Sequence, residues 1–240
     1  MFSSTGTASV TCIVPARNEA GYLVELVDLI LGLDLLDEVI ICEGGSQDNT
    51  WEVAQQIEKK NPKHVKALKQ SGKGLCNAVV EASRVATSDL ILIWNADGTV
   101  PVEDTRKIIE LAQQSRTGVT GNRLLGKMEK GAMRFANKIG NWAFAIAWVP
   151  LLRRKPIDLL CGTKIFPREV FDTLPQSLIN LDPYGDFALI AHANTLGIPL
   201  QSITVNYRNR VYGESNIKRW SGGVQLLKTT IQIYALRIKS

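Results

Sequence analysis

DLILIWNADG, residues 89–98, runs from an unbroken apolar stretch straight into an amide, an acid and a glycine. A run this short and this apolar, ended by turn residues, reads as a strand buried on both faces. Working outward, Val10–Pro15 and Glu38–Cys42 (EVIIC) carry the same signal, and His64–Leu68 a weaker one. The segments between them have helical spacing. Glu19–Leu33 places Leu23, Leu26, Val27 and Ile30 on one face, and Asp48 is suited to cap a helix over Thr50–Lys60. Gly74–Thr87 and Val102–Ser115 are also helical, and Gly118–Thr120 belongs to a further strand. This alternation predicts an α/β fold: a Rossmann-like, mostly parallel sheet with right-handed crossovers and helices on both faces. Ligands of such sheets bind beyond the carboxyl ends of the strands. The loops that matter therefore follow Pro15, Cys42, Leu68 and Trp94.

The chain has 240 residues, 45% of them hydrophobic and 21% charged, as expected of a globular domain with a full core. No low-complexity linker or internal repeat divides it, so one domain over 1–240 is expected. Met1–Ser9 lacks the charge and apolar run of a secretory leader. Cys12, Cys42, Cys76 and Cys161 show no CxxC spacing and read as buried free thiols of a reducing compartment. His64 and His192 have no metal-ligand neighbours and read as structural or exposed.

The net charge of +5 is unevenly placed. Arg208–Ser240 holds seven basic residues and one acid, leaving the rest of the chain at −1. Such asymmetry points to a phosphate-bearing ligand or an anionic surface, or else to a solvated basic helix. Ile139–Leu152 has no charge over 14 residues and is flanked by Lys138 and by Arg153, Arg154 and Lys155. It falls short of the roughly 20 apolar residues that span a bilayer, so it is a core helix or an interfacial one. Phe187–Leu196 reads as a helix and Leu200–Tyr207 as a strand. Ile217, Trp220, Val224, Leu227, Ile231, Tyr234 and Ile238 then form an apolar stripe on a basic, amphipathic C-terminal helix.

Each strand end in the first half leads into a polar, mostly glycine-bearing loop: Pro15-Ala16-Arg17-Asn18-Glu19, Glu43-Gly44-Gly45-Ser46-Gln47-Asp48, Gly72-Lys73-Gly74 and Asn95-Ala96-Asp97-Gly98. Taken singly, each has a plainer reading. Asp97 suits a turn before Pro101, Glu43-Gly44-Gly45 a tight turn, Arg17 and Lys73 solvated charge, and Asp186 a helix N-cap after Pro183 and Gly185. Their order along one rim of one sheet gives them weight together.

From Val10 to Leu227 the chain resembles the family 2 inverting glycosyltransferases of GT-A fold, and among them the polyprenyl-phosphate glycosyltransferases. The resemblance implies a nucleotide-sugar-binding half over about 10–120, an acceptor and catalytic half over about 121–216, and the tail helix over about 217–240. It implies that Pro15, Ala16, Arg17 and Glu19 help hold the nucleotide. Glu43, beside Gly44, stands where the family's base-reading acid is usually Asp, and Lys73 lies in the family's GKG. Asn95-Ala96-Asp97 falls on the metal-binding DxD, making Asp97 the ligand of Mg²⁺ or Mn²⁺. Gly121-Asn122-Arg123 resembles the family's G-S-R turn, and Asp158–Lys164 its segment beside the acceptor. Arg210–Ser215 matches R-x-x-G-x-S, whose cation meets the donor phosphates.

The implied chemistry suits these residue types. A departing diphosphate gains negative charge, which a hard cation on oxygen ligands, together with Arg210 and Lys218, would stabilise. A hydroxyl acceptor needs a general base, for which Asp186 is the candidate. A phosphate acceptor needs mainly positioning, which the resemblance gives to Arg123 and Arg134. Three departures stand out: Asn95 for the first acid of DxD, Ala188 for the Glu of a D-x-E segment, and Asn216 for a Lys after G-x-S. The expectation is an enzyme moving a sugar from a nucleotide diphosphate sugar to a polyprenyl phosphate, peripheral at the cytoplasmic membrane face. No nucleic-acid partner is expected, and the oligomeric state stays open. Transfer to a soluble or protein hydroxyl, nucleotidyl transfer, and non-catalytic sugar-nucleotide binding remain as alternatives.

Overall fold

The computed structural model describes residues 7–155, 157–212 and 219–238. Four strands of the first half, β1 (Val10–Ala16), β2 (Glu38–Glu43), β3 (Val65–Lys69) and β4 (Leu90–Ile93), lie parallel. They alternate with α1 (Ala20–Leu31), α2 (Thr50–Lys60), α3 (Leu75–Ser83) and α4 (Val102–Ser115), close to the bounds read from the sequence. β5 (Gly118–Asn122) is followed by α5 (Phe135–Ala147), α6 (Val149–Leu152) and β6 (Lys164–Pro167). The chain continues through α7 (Glu169–Asp172), α8 (Gln176–Leu181), α9 (Asp186–Thr195), β7 (Leu200–Thr204) and α10 (Arg219–Ile238).

All seven strands form one sheet in the order β3-β2-β1-β4-β6-β5-β7. Alternate side chains of β1, β2 and β4 feed two separate cores. Val10, Cys12, Val14, Ile41 and Leu92 meet α1, α2 and α4 on one face, while Ile13, Ile40, Cys42, Ile91 and Ile93 meet α3 and α9 on the other. The expected two-sided burial is therefore present. The sequence reading missed β6, which runs antiparallel between β4 and β5. Its four residues, KIFP, are too few to show a period, and they end in a proline. All four cysteines are buried and free, and burial pushes the Cys42 thiol up to about 12.

Two apolar segments depart from expectation. The 139–152 run starts its helix earlier, at Phe135, and breaks at Trp148, with Pro150 in the first turn of α6. Trp148, Leu151 and Leu152 enter the core, whereas Phe135, Ile139 and Ile146 are each more than half exposed. The run is thus core at one end and surface at the other. On α10, the stripe read from the sequence is split: Val224, Leu227 and Ile231 are each more than half exposed, while Tyr234 packs against the core. Leu226, Thr229, Thr230 and Ile233 pack inward instead. The inward threonines escape an apolar count because they are polar residues, yet their hydroxyls are satisfied inside the fold. Thr229 Oγ1 donates to Leu181 O at 3.0 Å and Thr230 Oγ1 to Leu226 O at 3.0 Å. Trp148 Nε1 donates to Thr230 Oγ1 at 3.2 Å, tying α10 to α5 and α6. Ile217 lies outside the described residues.

α9 is buried at every position from Phe187 to Ala193, so its entry must be capped without water. Asp182 does this: its carboxylate accepts from the N–H groups of Tyr184, Phe187 and Ala188 at 3.1, 2.7 and 2.9 Å. Asp182→Ala leaves these donors unpaired and should cost about 2 kcal/mol, the upper end for a lost cap. In a chain of this size that is a fall of roughly 4–8 °C in thermal midpoint. A scan showing no fall would remove this cap from the account of the fold.

Candidate active site

The carboxyl ends of β1, β2 and β4 lie side by side, with Ala16 paired to Glu43 and Ile13 to Ile93. The loops beyond them are laced together. Asn18 N donates to Ser46 Oγ at 3.0 Å, Asn18 Oδ1 accepts from Gln47 N at 2.7 Å, and Glu19 N donates to Thr50 Oγ1 at 3.0 Å. Asn49, not the expected Asp48, takes the cap position of α2 and makes no side-chain capping bond; Asp48 instead closes the turn before it, accepting from Thr50 N at 3.1 Å, while its other oxygen accepts from Ala20 N at 3.3 Å. Beyond these loops opens a cavity of 780 Å³, within the range of about 300–1,000 Å³ usual for small-molecule sites. A second groove, of 750 Å³, runs between α1 and α4 away from the strand ends.

Asp97 is held by its own turn: Oδ1 accepts from Thr99 N at 3.1 Å and from Thr99 Oγ1 at 2.8 Å. The turn needs Gly98, at φ +66°, since a Cβ there would come within 2.6 Å of Tyr22. Asp97 Oδ2 faces Arg210 Nη2 at 3.3 Å, and Glu19 Oε1 meets Arg210 Nη1 at 2.6 Å. One guanidinium thus bridges two carboxylates. Burial pushes the Glu19 carboxyl up to about 7, although Arg210 pulls it down. Glu19 Oε2 and Asn95 Oδ1 are buried without hydrogen-bond partners. Gly162 makes room for Asn95, because a Cβ there would lie 2.0 Å from Asn95 Nδ2.

These oxygens suit a hard divalent cation. Two carboxylates and an amide line the same cavity, and Glu19 Oε2 and Asn95 Oδ1 lack any other partner. Among the described residues no group of three or more His, Cys, Asp or Glu gathers at one point. Asp97 and Glu19 are then the acids that could hold such an ion, and the Asn95 amide oxygen a neutral third ligand.

The sequence profile of "Glycosyl transferase family 2" matches residues 11–174, more than half of the chain. The chain belongs to this family. A dolichol-phosphate mannosyltransferase of Pyrococcus furiosus is 32% identical over 219 residues, which make up 87% of this chain and 59% of that protein. Two solved structures share the fold. The mannosyltransferase PcManGT of Pyrobaculum calidifontis, in complex with GDP-Man and Mn²⁺, superimposes with a TM-score of 0.64 at 22% identity, covering 98% of this chain and 66% of that one. The glucosyl-3-phosphoglycerate synthase of Mycobacterium tuberculosis, with Mn²⁺, UDP and phosphoglyceric acid, gives 0.67 at 16% identity, covering 94% and 78%. The family's GT-A architecture accordingly extends over nearly the whole of this chain.

The family 2 cavity gathers most of the residues singled out in the sequence. Pro15, Ala16, Arg17, Glu19, Gly44, Asn95, Ala96, Asp97, Arg123, Arg134, Asp186 and Arg210 all line it. Glu43 and Lys73 do not. Glu43 is buried, and its Oε1 accepts from Ser46 N, so it shapes the second loop from behind. Lys73 is exposed while its neighbour Gly74 lines the wall. Lys218 lies outside the described residues. The loop before Lys73 is held by Glu81, whose carboxylate accepts from Ser71 N at 2.7 Å and Gly72 N at 2.8 Å. Burial alone would raise the Glu81 carboxyl, but these hydrogen bonds hold it below its usual range.

On the acceptor side, Arg123 arrives already paired. Its Nε and Nη2 donate to Asp158 at 2.7 and 3.0 Å, and its guanidinium lies 5.0 Å from the Tyr207 ring. Its charge is balanced by Asp158, whereas Arg134, exposed at the entry to α5, makes no ion pair among the described residues. Asp186 is not the cap of α9, since Asp182 fills that role. Its carboxylate pairs with Lys164, a cation buried on β6 that also donates to Leu159 O at 3.2 Å. Burial pushes the Asp186 carboxyl up, and Lys164 only partly offsets this. The sequence reading gave Lys164, Asp158, Glu81 and Asp182 no individual roles. The signal for Lys164 was faint: a lysine at the mouth of a two-residue apolar run.

Proposed function

We propose that this chain catalyses inverting transfer of one sugar from a nucleoside diphosphate sugar to a polyprenyl phosphate at the cytoplasmic face of a membrane. The observation that carries the reading is one cavity at the strand ends that holds the Asp97–Arg210–Glu19 cluster on its donor side and Arg134 on its acceptor side. The sugar nucleotide GDP-Man and the nucleoside diphosphate UDP named with two similar structures, and the dolichol phosphate in a relative's name, fit this division.

An acceptor phosphate oxygen attacks the anomeric carbon, the bond from that carbon to the donor's β-phosphate oxygen breaks, and the electron pair leaves with the nucleoside diphosphate. Asp97, Glu19 and the amide oxygen of Asn95 would hold a Mg²⁺ or Mn²⁺ ion, which when bound offsets charge on the leaving diphosphate. Arg17 and Arg210 add fixed positive charge on the same side. Arg134 orients the acceptor phosphate. That acceptor is already anionic and needs no proton removed, which agrees with an Asp186 tied to Lys164.

Two outward faces favour a lipid surface. Phe135, Ile139 and Ile146 on α5 and Val224, Leu227 and Ile231 on α10 are exposed, with Arg134, Lys138 and Lys228 exposed on the same helices. Among the described residues no helix is long and apolar enough to cross a membrane. The test is an incubation with UDP- and GDP-sugars and anionic vesicles carrying a polyprenyl phosphate. The expected products are glycosylated lipid and a nucleoside diphosphate. Release of pyrophosphate, or a protein that never floats with the vesicles, overturns the reading.

Transfer to a hydroxyl is the second reading, favoured by Asp186 lining the cavity. It predicts a distinct pH profile. The Asp186 carboxyl lies above its ordinary value, so its basic form is gained as pH rises through that raised value. A hydroxyl-transfer rate should climb across the same window and be abolished by Asp186→Asn. The phosphate reaction needs no base at Asp186, so Asp186→Asn should leave the shape of its pH profile unchanged.

A further inference from the structure

The acids that suit a metal are paired with a cation of the chain's own. Thr99 saturates Asp97 Oδ1, leaving Oδ2 to Arg210 at 3.3 Å, and the same guanidinium takes Glu19 Oε1 at 2.6 Å. We propose that Arg210 is the resident counter-ion of the Asp97–Glu19 pair. A divalent ion and the guanidinium then compete for the same two carboxylates, and the ion enters together with the nucleotide diphosphate, onto whose phosphates Arg210 is released. The inference rests on the donor-site reading above and adds to it an exchange of partners.

Charge and anchoring support the exchange. Two carboxylates and one guanidinium leave the cluster with one negative charge, too little to hold a dehydrated divalent ion while Arg210 remains. A diphosphate brings the missing negative charge and gives Arg210 a new bidentate partner. Glu19 is 5% exposed with Oε2 unpartnered, and Asn95 Oδ1 is also unpartnered, so oxygens stand ready once Arg210 moves. The backbone that carries Arg210 is fixed independently of its side chain. Arg208 N donates to Thr99 O at 2.8 Å, Val211 N to Asp97 O at 3.3 Å, and Asn209 N to Glu129 Oε2 at 2.8 Å. The side chain can change partners, or be removed, while the segment 208–211 stays docked. Glu19 supplies the second acid that Asn95 lacks.

The test is Mn²⁺ binding to nucleotide-free protein, followed by the electron paramagnetic resonance of free Mn²⁺. Arg210→Met and Arg210→Gln should each bind Mn²⁺ about tenfold more tightly than wild type, within the usual span of coupling between sites. Adding Asp97→Asn to Arg210→Met should abolish the gain. Adding UDP or GDP should tighten Mn²⁺ binding in wild type more than in either single variant. If both single variants bind Mn²⁺ no better than wild type, the exchange is wrong, even where wild type still binds Mn²⁺ and nucleotide cooperatively and the donor-site reading stands. If wild type binds no Mn²⁺ with either nucleotide present, the donor-site reading falls and the exchange with it.

Discussion

Asp97→Asn should reduce sugar transfer by about three orders of magnitude while leaving the protein folded. The size follows from what the carboxylate does. In the proposed reaction it is the acid beyond the central strand on the diphosphate side, and losing one preorganised charge-stabilising group typically costs about 10²–10³ in rate. Losing an ion held there costs more, since such an ion supplies several kcal/mol and about 1.4 kcal/mol is a factor of ten. Asn95 offers no reserve, because it is already an amide and carries no charge. The fold should survive because the bonds that shape the turn are kept. An asparagine oxygen at Oδ1 still accepts from Thr99 N and Oγ1, and Gly98 still gives the left-handed corner. The variant loses only the longer of Arg210's two carboxylate contacts, the part-buried one at 3.3 Å, and the guanidinium keeps Glu19 at 2.6 Å. The measurement is kcat with saturating Mn²⁺ beside a thermal scan. A variant with near-wild-type kcat would place the metal, and with it the leaving-group chemistry, elsewhere.

Much of this was legible before any coordinates, for a physical reason. A strand buried on both faces has to be continuously apolar, so EVIIC and DLILIW announce themselves, and the loops after them must hold whatever binds at the sheet's edge. The first four strands and helices of the sequence reading therefore sit within a few residues of the observed ones. What stayed hidden was polar and long-range. Lys164 finds Asp186 22 residues away, Arg123 finds Asp158 35 away, and Arg210 finds Glu19 191 away. Nothing in the spacing of a sequence marks such pairs. They form because burial leaves a charge no other partner. The same blindness misplaced the stripe of α10. Two faces of that helix are apolar, and which one turns inward is set by the hydroxyl acceptors of Leu181 and Leu226 and by the indole of Trp148. None of these is visible in a periodicity.

The Arg123–Asp158 pair is where that hidden layer carries the largest stability. Asp158 is fully buried, and its two oxygens accept four bonds: Arg123 Nε and Nη2, Arg123 N at 3.1 Å and Leu160 N at 3.2 Å. The pair fastens the end of β5 to the segment that presents Gly162 to Asn95, so it sets the width of the site as well as the strength of the core. Asp158→Ala strands a buried guanidinium and two backbone donors. The expected cost is about 3–5 kcal/mol, the range for breaking a buried ion pair from one side. For a chain of this length that is a fall of roughly 10 °C in thermal midpoint. Arg123→Met should cost less than Asp158→Ala, because the carboxyl it leaves behind can take up a proton and still accept from both backbone donors. The double variant is the sharper test. With both charges gone neither is left unpaired, so its loss should fall short of the sum of the single losses by about 1–3 kcal/mol. Strict additivity in urea unfolding would mean that the two side chains do not stabilise each other. The tie between β5 and the Gly162 segment would then have to come from packing alone, with Arg123 left free to serve an acceptor phosphate as the sequence first suggested.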